Sequence, residues 1–245
     1  MKEKTATKMN EKSRKTRLLV FLAAGMVGLA GLYLVGKTYL GGRNVMVVNY
    51  LRNPEKYAEY EEEALTQCGD APFLMPSRGF IGYTWGDSFK LFNRHQGIDV
   101  FGGEEAGKTP IYAPYDGFLT REEGWRSSVI IRVPQDPLNP ERQIWLYMTH
   151  MADPQGNSFI VSAFPPGTQE KPVSAGDLIG YQGNYSGNPD NPVGVHLHFS
   201  IVKDDGNGKY LNELKIADTL DPTPYLGFEL NAKKVGKSEA PKCLP

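Results

Sequence analysis

The sequence predicts a mainly β domain with an antiparallel, sandwich-like sheet, preceded by one transmembrane helix and one short helix. The chain has 245 residues, of which 27 are glycine and 18 are proline, and so many turn-forming residues favour short elements over a helical bundle. Short runs rich in Ile, Val, Tyr, Phe and Trp alternate with Gly, Pro, Asn and Asp, which is typical of strands and turns. One uncharged stretch near the N-terminus differs from this pattern.

The first 36 residues predict a membrane anchor. Residues 1–17 hold seven Lys or Arg against two Glu, and LLVFLAAGMVGLAGLYLVG at residues 18–36 follows with no charge. As a helix this stretch would span about 28 Å, close to the hydrocarbon thickness of a bilayer. A basic tail can bind nucleic acid, but its direct continuation into an apolar stretch predicts a membrane as the partner and no nucleic acid.

A cleaved signal peptide is the main alternative to a permanent anchor. Its apolar region usually has about 7 to 15 residues and ends at a small-residue cleavage site. The stretch here is longer, and KTYLGGRN after it shows no such site. We therefore expect an uncleaved signal anchor at residues 18–36 with a cytoplasmic basic tail at residues 1–17. The positive-inside rule then places everything from about residue 37 outside the cytoplasm.

Residues 37–73 are expected to form a juxtamembrane connector that contains the short helix. Asn53 is a suitable N-cap and Pro54 suits the first helical position, which predicts a helix over about residues 54–67. We interpret the acidic run Glu61–Glu63 as a solvated face of this helix with a structural role.

The chain has two cysteines, Cys68 and Cys243. A location outside the cytoplasm makes them a candidate disulfide, which would tie the segment that enters the domain to the C-terminus. Two unpaired thiols are the alternative, and the sequence alone leaves both open.

Residues 74–230 are predicted to form one antiparallel β domain, followed by a loosely held polar tail at residues 231–245. The turn-rich stretches 134–142 and 184–194 predict surface loops, and Asp-Asp-Gly-Asn-Gly at 204–208 predicts a hairpin turn with KYLNEL returning. The predicted strands are GFIGYTW (79–85), IDVFG (98–102), TPIYAPYDGFLT (109–120), SSVIIRV (127–133), RQIWLYMTHM (142–151), GDLIGYQG (176–183) and VHLHFSIV (195–202).

All four histidines of the chain fall in this β domain. His95 and Asp99 lie four residues apart around a glycine, and a loop can fold two such metal-ligating side chains toward one point. His196 and His198 share one face of a strand, about 6.6 Å apart. His150 ends an apolar strand, where an isolated buried imidazole would need a partner. Each histidine alone is more often a satisfied core or surface group, so the argument depends on all of them together.

Three sequence blocks resemble those of the lysostaphin-type, LytM-like zinc endopeptidases. They are RHQGID at residues 94–99, YMTHM at 147–151, and GYQGNYSG followed by GVHLHFSI within 180–201. The intervening stretches PIYAPYDGFLT and VSAGDLIGYQG are also similar to that family, and the resemblance covers roughly residues 78–228. Two loops depart from the family pattern, because the stretch between Gly183 and His196 is longer and NPERQ lies in an enlarged loop. The peptide bond that is attacked is therefore left open.

The resemblance implies a lysostaphin-type peptidase domain with one zinc ion, bound by His95, Asp99 and His198. It implies that His150 and His196 are the catalytic histidines. Three protein ligands leave an open coordination position, as a catalytic zinc requires. The implied substrate is the peptide part of bacterial peptidoglycan, which an extracytoplasmic, membrane-anchored hydrolase would meet directly.

The alternative is a catalytically silent wall-binding or hydrolase-activating module with the same fold, although this chain retains all five positions. Other classes fit the sequence less well. There is no His-Glu-x-x-His motif and no Gly-rich phosphate loop followed by Lys-Ser/Thr. A Ser or Cys triad would leave the His-x-His and His-x-x-x-Asp pairs unexplained.

Overall fold

The computed structural model of the protein describes residues 2–39, 42–87, 94–236 and 239–244. The chain divides into two compact units, residues 1–41 and residues 42–245. The first unit contains one helix, α1 (Lys2–Tyr39), so the helix is longer than the predicted anchor. Its segment Thr16–Gly36 is long and apolar enough to cross a membrane by length and composition. The side chains of residues 1–15, which form most of the predicted basic tail, lie outside the described part of the chain.

The second unit begins with α2 (Arg43–Arg52), where the sequence predicted only a connector. A 3₁₀ helix, Pro54–Tyr60, follows, and the side chain of Asn53 caps it by accepting a hydrogen bond from the Lys56 backbone N–H at 3.3 Å. The N-cap prediction is therefore matched, but the helix ends seven residues before the predicted end.

The predicted helix ends early because the acidic run belongs to the sheet. Glu61 and Glu62 form a short strand, β1 (Glu61–Glu62). The Glu61 carboxylate accepts a hydrogen bond from the Tyr50 hydroxyl at 2.7 Å and pairs with Arg78 at 3.0 Å. The interpretation of this run as a solvated helix face was therefore wrong at Glu61, whose side chain is largely buried.

The rest of the domain is built from short strands. The strands at Thr168–Val173 and Thr219–Leu220 have no counterpart among the predicted strands, and the predicted strand at 109–120 is divided into two strands. The elements are β2 (Gly79–Tyr83), β3 (Ile98–Phe101), β4 (Pro110–Tyr112), β5 (Gly117–Arg121), β6 (Val129–Val133), β7 (Ile144–Thr149), β8 (Thr168–Val173), β9 (Leu178–Tyr181), β10 (Leu197–Lys203), a 3₁₀ turn Ile216–Asp218, β11 (Thr219–Leu220) and α3 (Thr223–Leu226).

The strands form a large sheet and a two-stranded sheet. The large sheet has the order β1-β2-β3-β10-β7-β6-β5-β8, with β11 added to β10, and β4 pairs with β9. All of these pairings are antiparallel, which confirms the predicted mainly β, antiparallel fold. The strand β10 lies in the middle of the large sheet, between β3 and β7.

The alternation of side chains along β10 separates the core from the site. Leu197, Phe199 and Ile201 are fully buried in the main hydrophobic core, and successive strand residues point to opposite faces. His198 therefore lies on the other face of the sheet. A satellite cluster that includes Trp145 and Val202 covers part of that face.

The described C-terminal residues pack against the domain, in contrast to the loosely held tail that the sequence predicted. Cys68 and Cys243 form a disulfide with a Cα–Cα distance of 5.6 Å. The Leu244 backbone N–H donates to the Gly227 carbonyl at 2.8 Å. This arrangement fixes the described C-terminal residues beside the segment that enters the domain.

Candidate active site

The candidate site is assembled around the central strand β10. Its register places His198 opposite Asp99 on β3 and opposite Thr149 on β7. The antiparallel pairing therefore brings three distant parts of the chain to one point on the sheet. His150 directly follows Thr149, so it also reaches this point.

The loop from His95 to Asp99 depends on a glycine for its close approach to β10. A Cβ on Gly97 would lie only 2.0 Å from the Phe199 carbonyl oxygen, so no larger residue fits there without movement of the backbone. The loop thereby carries the buried imidazole of His95 back over the sheet, where its Nε2 atom lies 3.0 Å from Asp99 Oδ1.

His95, Asp99 and His198 bring three potential ligand atoms together. His95 Nε2 lies 3.0 Å from His198 Nδ1, and His198 Nδ1 lies 2.8 Å from Asp99 Oδ1. Tetrahedral ligands at the usual zinc distances would be about 3.3 Å apart, which is close to this spacing. Among the described residues, these three form the group that could hold a metal ion.

The chemistry of the donor set also fits a cation. His95 Nδ1 faces the Thr84 carbonyl at 3.2 Å, and because a carbonyl only accepts, this nitrogen carries the hydrogen. His95 Nε2 then presents a lone pair toward a carboxylate oxygen and a second imidazole nitrogen. Three electron-rich atoms at this spacing require a proton or a metal ion among them.

The pKa shifts reflect the burial and the shared charge of this group. Burial acts to lower the pKa of His95, but the Asp99 carboxylate and the Thr84 carbonyl outweigh it and raise the pKa overall. Burial acts to raise the pKa of Asp99, but His95 and His196 hold it well below its usual value. Burial lowers the pKa of His198 despite its contact with Asp99. Asp99 is thus an anion, as a metal-ligating carboxylate must be.

His150 and His196 lie beside this group, and in both rings Nδ1 carries the hydrogen. His150 Nδ1 donates to the Tyr185 carbonyl at 2.7 Å, and His196 Nδ1 donates to the Gly194 carbonyl at 2.6 Å. Each ring therefore leaves Nε2 free to accept or carry a proton. The two ring centroids are 4.5 Å apart, and His196 Nε2 lies 3.6 Å from Asp99 Oδ1.

His150 has two features that are unusual for a histidine. Its φ of 74° lies in the left-handed region, which costs a non-glycine residue about 1–3 kcal/mol and persists where the surroundings enforce it. Burial, followed by the neighbouring His196 and His198, lowers the pKa of His150 to about 3. His150 is therefore neutral at physiological pH.

Aromatic side chains that the sequence analysis did not single out fix two of these imidazoles. Phe101 stacks on His196 with centroids 4.9 Å apart and an interplanar angle of 25°. Tyr83 meets the edge of His95 at 6.1 Å. The motif spacing gave no signal for either residue. The one sequence signal was that Phe101 lies near the end of the predicted strand at 98–102.

The five residues line a cleft of about 630 Å³ on this face of the sheet. One wall is formed by α2 through Val48 and Leu51, together with Phe101. Tyr147 on β7 lies on the other wall, near Glu213. Burial raises the pKa of Tyr147, hydrogen bonds with Ser128 and Thr149 lower it, and the Glu213 charge raises it again, so the net shift is upward.

Comparisons with known proteins give matches among solved structures. Solved structures similar to this chain include lysostaphin from Staphylococcus simulans, the catalytic domain of the prophage-encoded M23 protein EnpA from Enterococcus faecalis, and Csd3 from Helicobacter pylori. The sequence identities are 20%, 22% and 19%, and the TM-scores are 0.39, 0.37 and 0.34. No protein-family profile and no curated protein matches the sequence.

The likeness covers part of each molecule. It spans 60% of this chain and 49% of lysostaphin, 61% of this chain and 95% of the EnpA domain, and 56% of this chain and 32% of Csd3. The chain therefore matches about half the length of lysostaphin. These values concern the overall fold alone.

Proposed function

We propose that the protein is a zinc-dependent endopeptidase that hydrolyses peptide bonds in the stem peptides or cross-bridges of peptidoglycan. The observation that carries the proposal is the convergence of His95, Asp99 and His198 within 3.0 Å of one another beside two further histidines. The peptidoglycan substrate follows from the resemblance of the motifs to lysostaphin-type enzymes. The helix α1 would anchor the chain in the membrane, with the N-terminus in the cytoplasm and the domain outside.

His95, Asp99 and His198 would hold the metal in this proposal. Zinc, when bound, supplies a Lewis acid that polarises the scissile carbonyl and stabilises developing negative charge. The Thr84 carbonyl fixes the tautomer of His95, as second-layer partners of metal-bound imidazoles usually do. The Asp99 carboxylate provides the negative charge that favours a cation in this buried position.

His150 and His196 would supply the proton transfers. Each ring lines the cleft and is oriented by a backbone carbonyl at Nδ1, which leaves Nε2 for proton transfer. One Nε2 would take a proton from the attacking water, and the other would stabilise the oxyanion or deliver a proton to the leaving amine. Fixed orientation of this kind is what makes positioned acid–base groups effective.

The test is product analysis by mass spectrometry after incubation of the purified full-length protein with peptidoglycan sacculi of several cross-bridge types. We expect new peptide termini at one type of bond, with no product after removal of the metal by a chelator and recovery on addition of zinc. A protein with about one zinc per chain and no product from any wall type would instead favour a silent wall-binding or hydrolase-activating module.

A further inference from the structure

The two walls of the catalytic cleft have different chemistry. The α2 wall presents the aliphatic side chains of Val48 and Leu51, which are 43% and 41% exposed although they line the cleft. On the helix, these positions adjoin the buried stripe of Val47 and Tyr50. The exposed aliphatic surface therefore faces the space above the candidate site.

The α2 wall is held firmly against the site. Tyr50 stacks on Phe80 with centroids 5.1 Å apart, and Val47 and Phe101 belong to the same buried cluster. Phe101 also stacks on His196, so a single ring links the helix to a proposed catalytic group.

Two further observations place the helix beside the proposed catalytic residues. A Cβ on Gly194 would lie 3.3 Å from Leu51 Cδ1, and the Gly194 carbonyl accepts the hydrogen bond that orients His196. The Tyr83 hydroxyl donates to Asn44 Oδ1 on α2 at 2.5 Å.

The opposite wall carries the Tyr147 hydroxyl and the Glu213 carboxylate, next to the exposed Leu214. The strand order places β10 and His198 between β3, which carries Phe101, and β7, which carries Tyr147. Beside Tyr147 lies Glu213, whose carboxylate has no ion pair or hydrogen bond within the described residues. No Lys or Arg occurs in the described lining of the cleft. With Asp99 committed to a metal ion, Glu213 is the carboxylate of this lining that remains for a ligand.

We propose that this asymmetry orients the substrate peptide across the site. A small aliphatic side chain packs against Val48 and Leu51, and an ammonium group on the other side of the scissile bond lies toward Glu213. The inference rests on the proposed function in one respect, namely that the cleft receives a peptide. It goes beyond that function because it states which substrate side chains the two walls of the cleft select.

The experiment compares Val48→Thr and Leu51→Asn with Val45→Thr as the matched control. Val45 lies on the same helix and is 41% exposed, but it is not part of the cleft lining. Glu213→Gln tests the opposite wall. All variants are made in the full-length protein in detergent micelles, so the anchor and α2 remain in place.

The probes are three fluorescein-labelled peptides of the wall type. The first contains alanine and lysine, the second has the lysine Nε acetylated, and the third has glycine in place of alanine. Affinity is measured by fluorescence anisotropy in a His150→Ala background loaded with zinc, where binding is observed without turnover. Hydrolysis is measured by mass spectrometry in the background that retains His150.

We expect the wild-type cleft to prefer the first peptide over both others. Leu51→Asn should reduce the preference for alanine over glycine about 10-fold and Val48→Thr should reduce it less, while Val45→Thr leaves it unchanged. Glu213→Gln should remove about a fivefold preference for lysine over acetyl-lysine and leave binding of the acetylated peptide unaltered.

The outcomes separate the two proposals. The inference would be overturned if Val48→Thr, Leu51→Asn and Val45→Thr had equal effects on the preference for alanine over glycine. It would also be overturned if no peptide bound, even if sacculi are cleaved. Selective binding that depends on α2 and on Glu213, with no hydrolysis of any substrate, would uphold the inference and contradict the proposed enzymatic function.

Discussion

Substitution of Gly97 by alanine should disturb the candidate metal site without changing any ligand. The added Cβ would lie 2.0 Å from the Phe199 carbonyl oxygen, about 1.4 Å short of ordinary contact at 3.4 Å. The loop and β10 must therefore move apart beside the pair formed by Asp99 and His198. Overpacking of this kind costs about 1–3 kcal/mol, and each kcal/mol lowers Tm by about 2–4 °C in a domain of this size. A ligand displacement of about 1 Å should weaken zinc binding by about 10- to 100-fold.

The assay combines chelator competition for zinc affinity with thermal unfolding followed by circular dichroism. Gly124→Ala is the matched control, because no heavy atom lies within 4 Å of a Cβ at that position. It should leave both quantities unchanged. Wild-type zinc affinity and Tm in Gly97→Ala would refute the argument that this glycine sets the spacing of the ligands.

Three further predictions concern pH, the disulfide and the stacked ring. Burial and the neighbouring His196 lower the pKa of His150 to about 3, so the unfolded chain binds a proton below about pH 6.5 that the folded, metal-free protein excludes. The Tm of the metal-free protein should fall from pH 7 to pH 4, and it should fall less in His150→Gln. Identical slopes of Tm against pH in the two proteins would contradict this. Joint replacement of Cys68 and Cys243 by serine should cost about 2–4 kcal/mol of unfolding free energy. Equal masses with and without reduction, after thiol alkylation, would show that the bond is absent. Phe101→Leu should lower kcat about 10-fold with unchanged zinc content, because the ring that orients His196 is lost; an unchanged kcat would exclude that role.

The strand-like alternation at residues 195–202 predicted the most useful local feature of the site. A period of two places His196 and His198 on one face, and in the structure His196 Nε2 and His198 Nδ1 both approach Asp99 Oδ1, at 3.6 Å and 2.8 Å. Spacing alone could not bring His95 to them, because 103 residues separate His95 from His198. That meeting depends on the pairing of β3 with β10, and only the family resemblance pointed to it.

The strand β8 and the helix α2 were missed because their own residues give weak signals. The strand β8 has the sequence TQEKPV and is mostly exposed at the edge of the sheet, so it lacks the apolar alternation that marks a half-buried strand. The helix α2 is rich in valine, which has low intrinsic helix propensity, and no side chain caps its start. Its burial against Phe80 and Phe101 is a tertiary effect.

The predicted tail and the predicted acidic helix face were wrong for a related reason. Lysine-rich and glutamate-rich segments are usually solvated, and composition therefore favoured exposure. The structure instead gives these segments long-range partners, such as Glu61 with Arg78 and the backbone of Leu244 with Gly227. Such partners are not visible in the local sequence.

The central claim is that three residues hold zinc and two others perform the proton transfers. Zinc content and cleavage of peptidoglycan sacculi, measured on the same preparations of five alanine variants, test it directly. His150→Ala and His196→Ala should keep about one zinc per chain and lose cleavage, while alanine at His95, Asp99 or His198 should lose both. Retention of zinc by the second group, or wild-type cleavage by the first, would contradict the account.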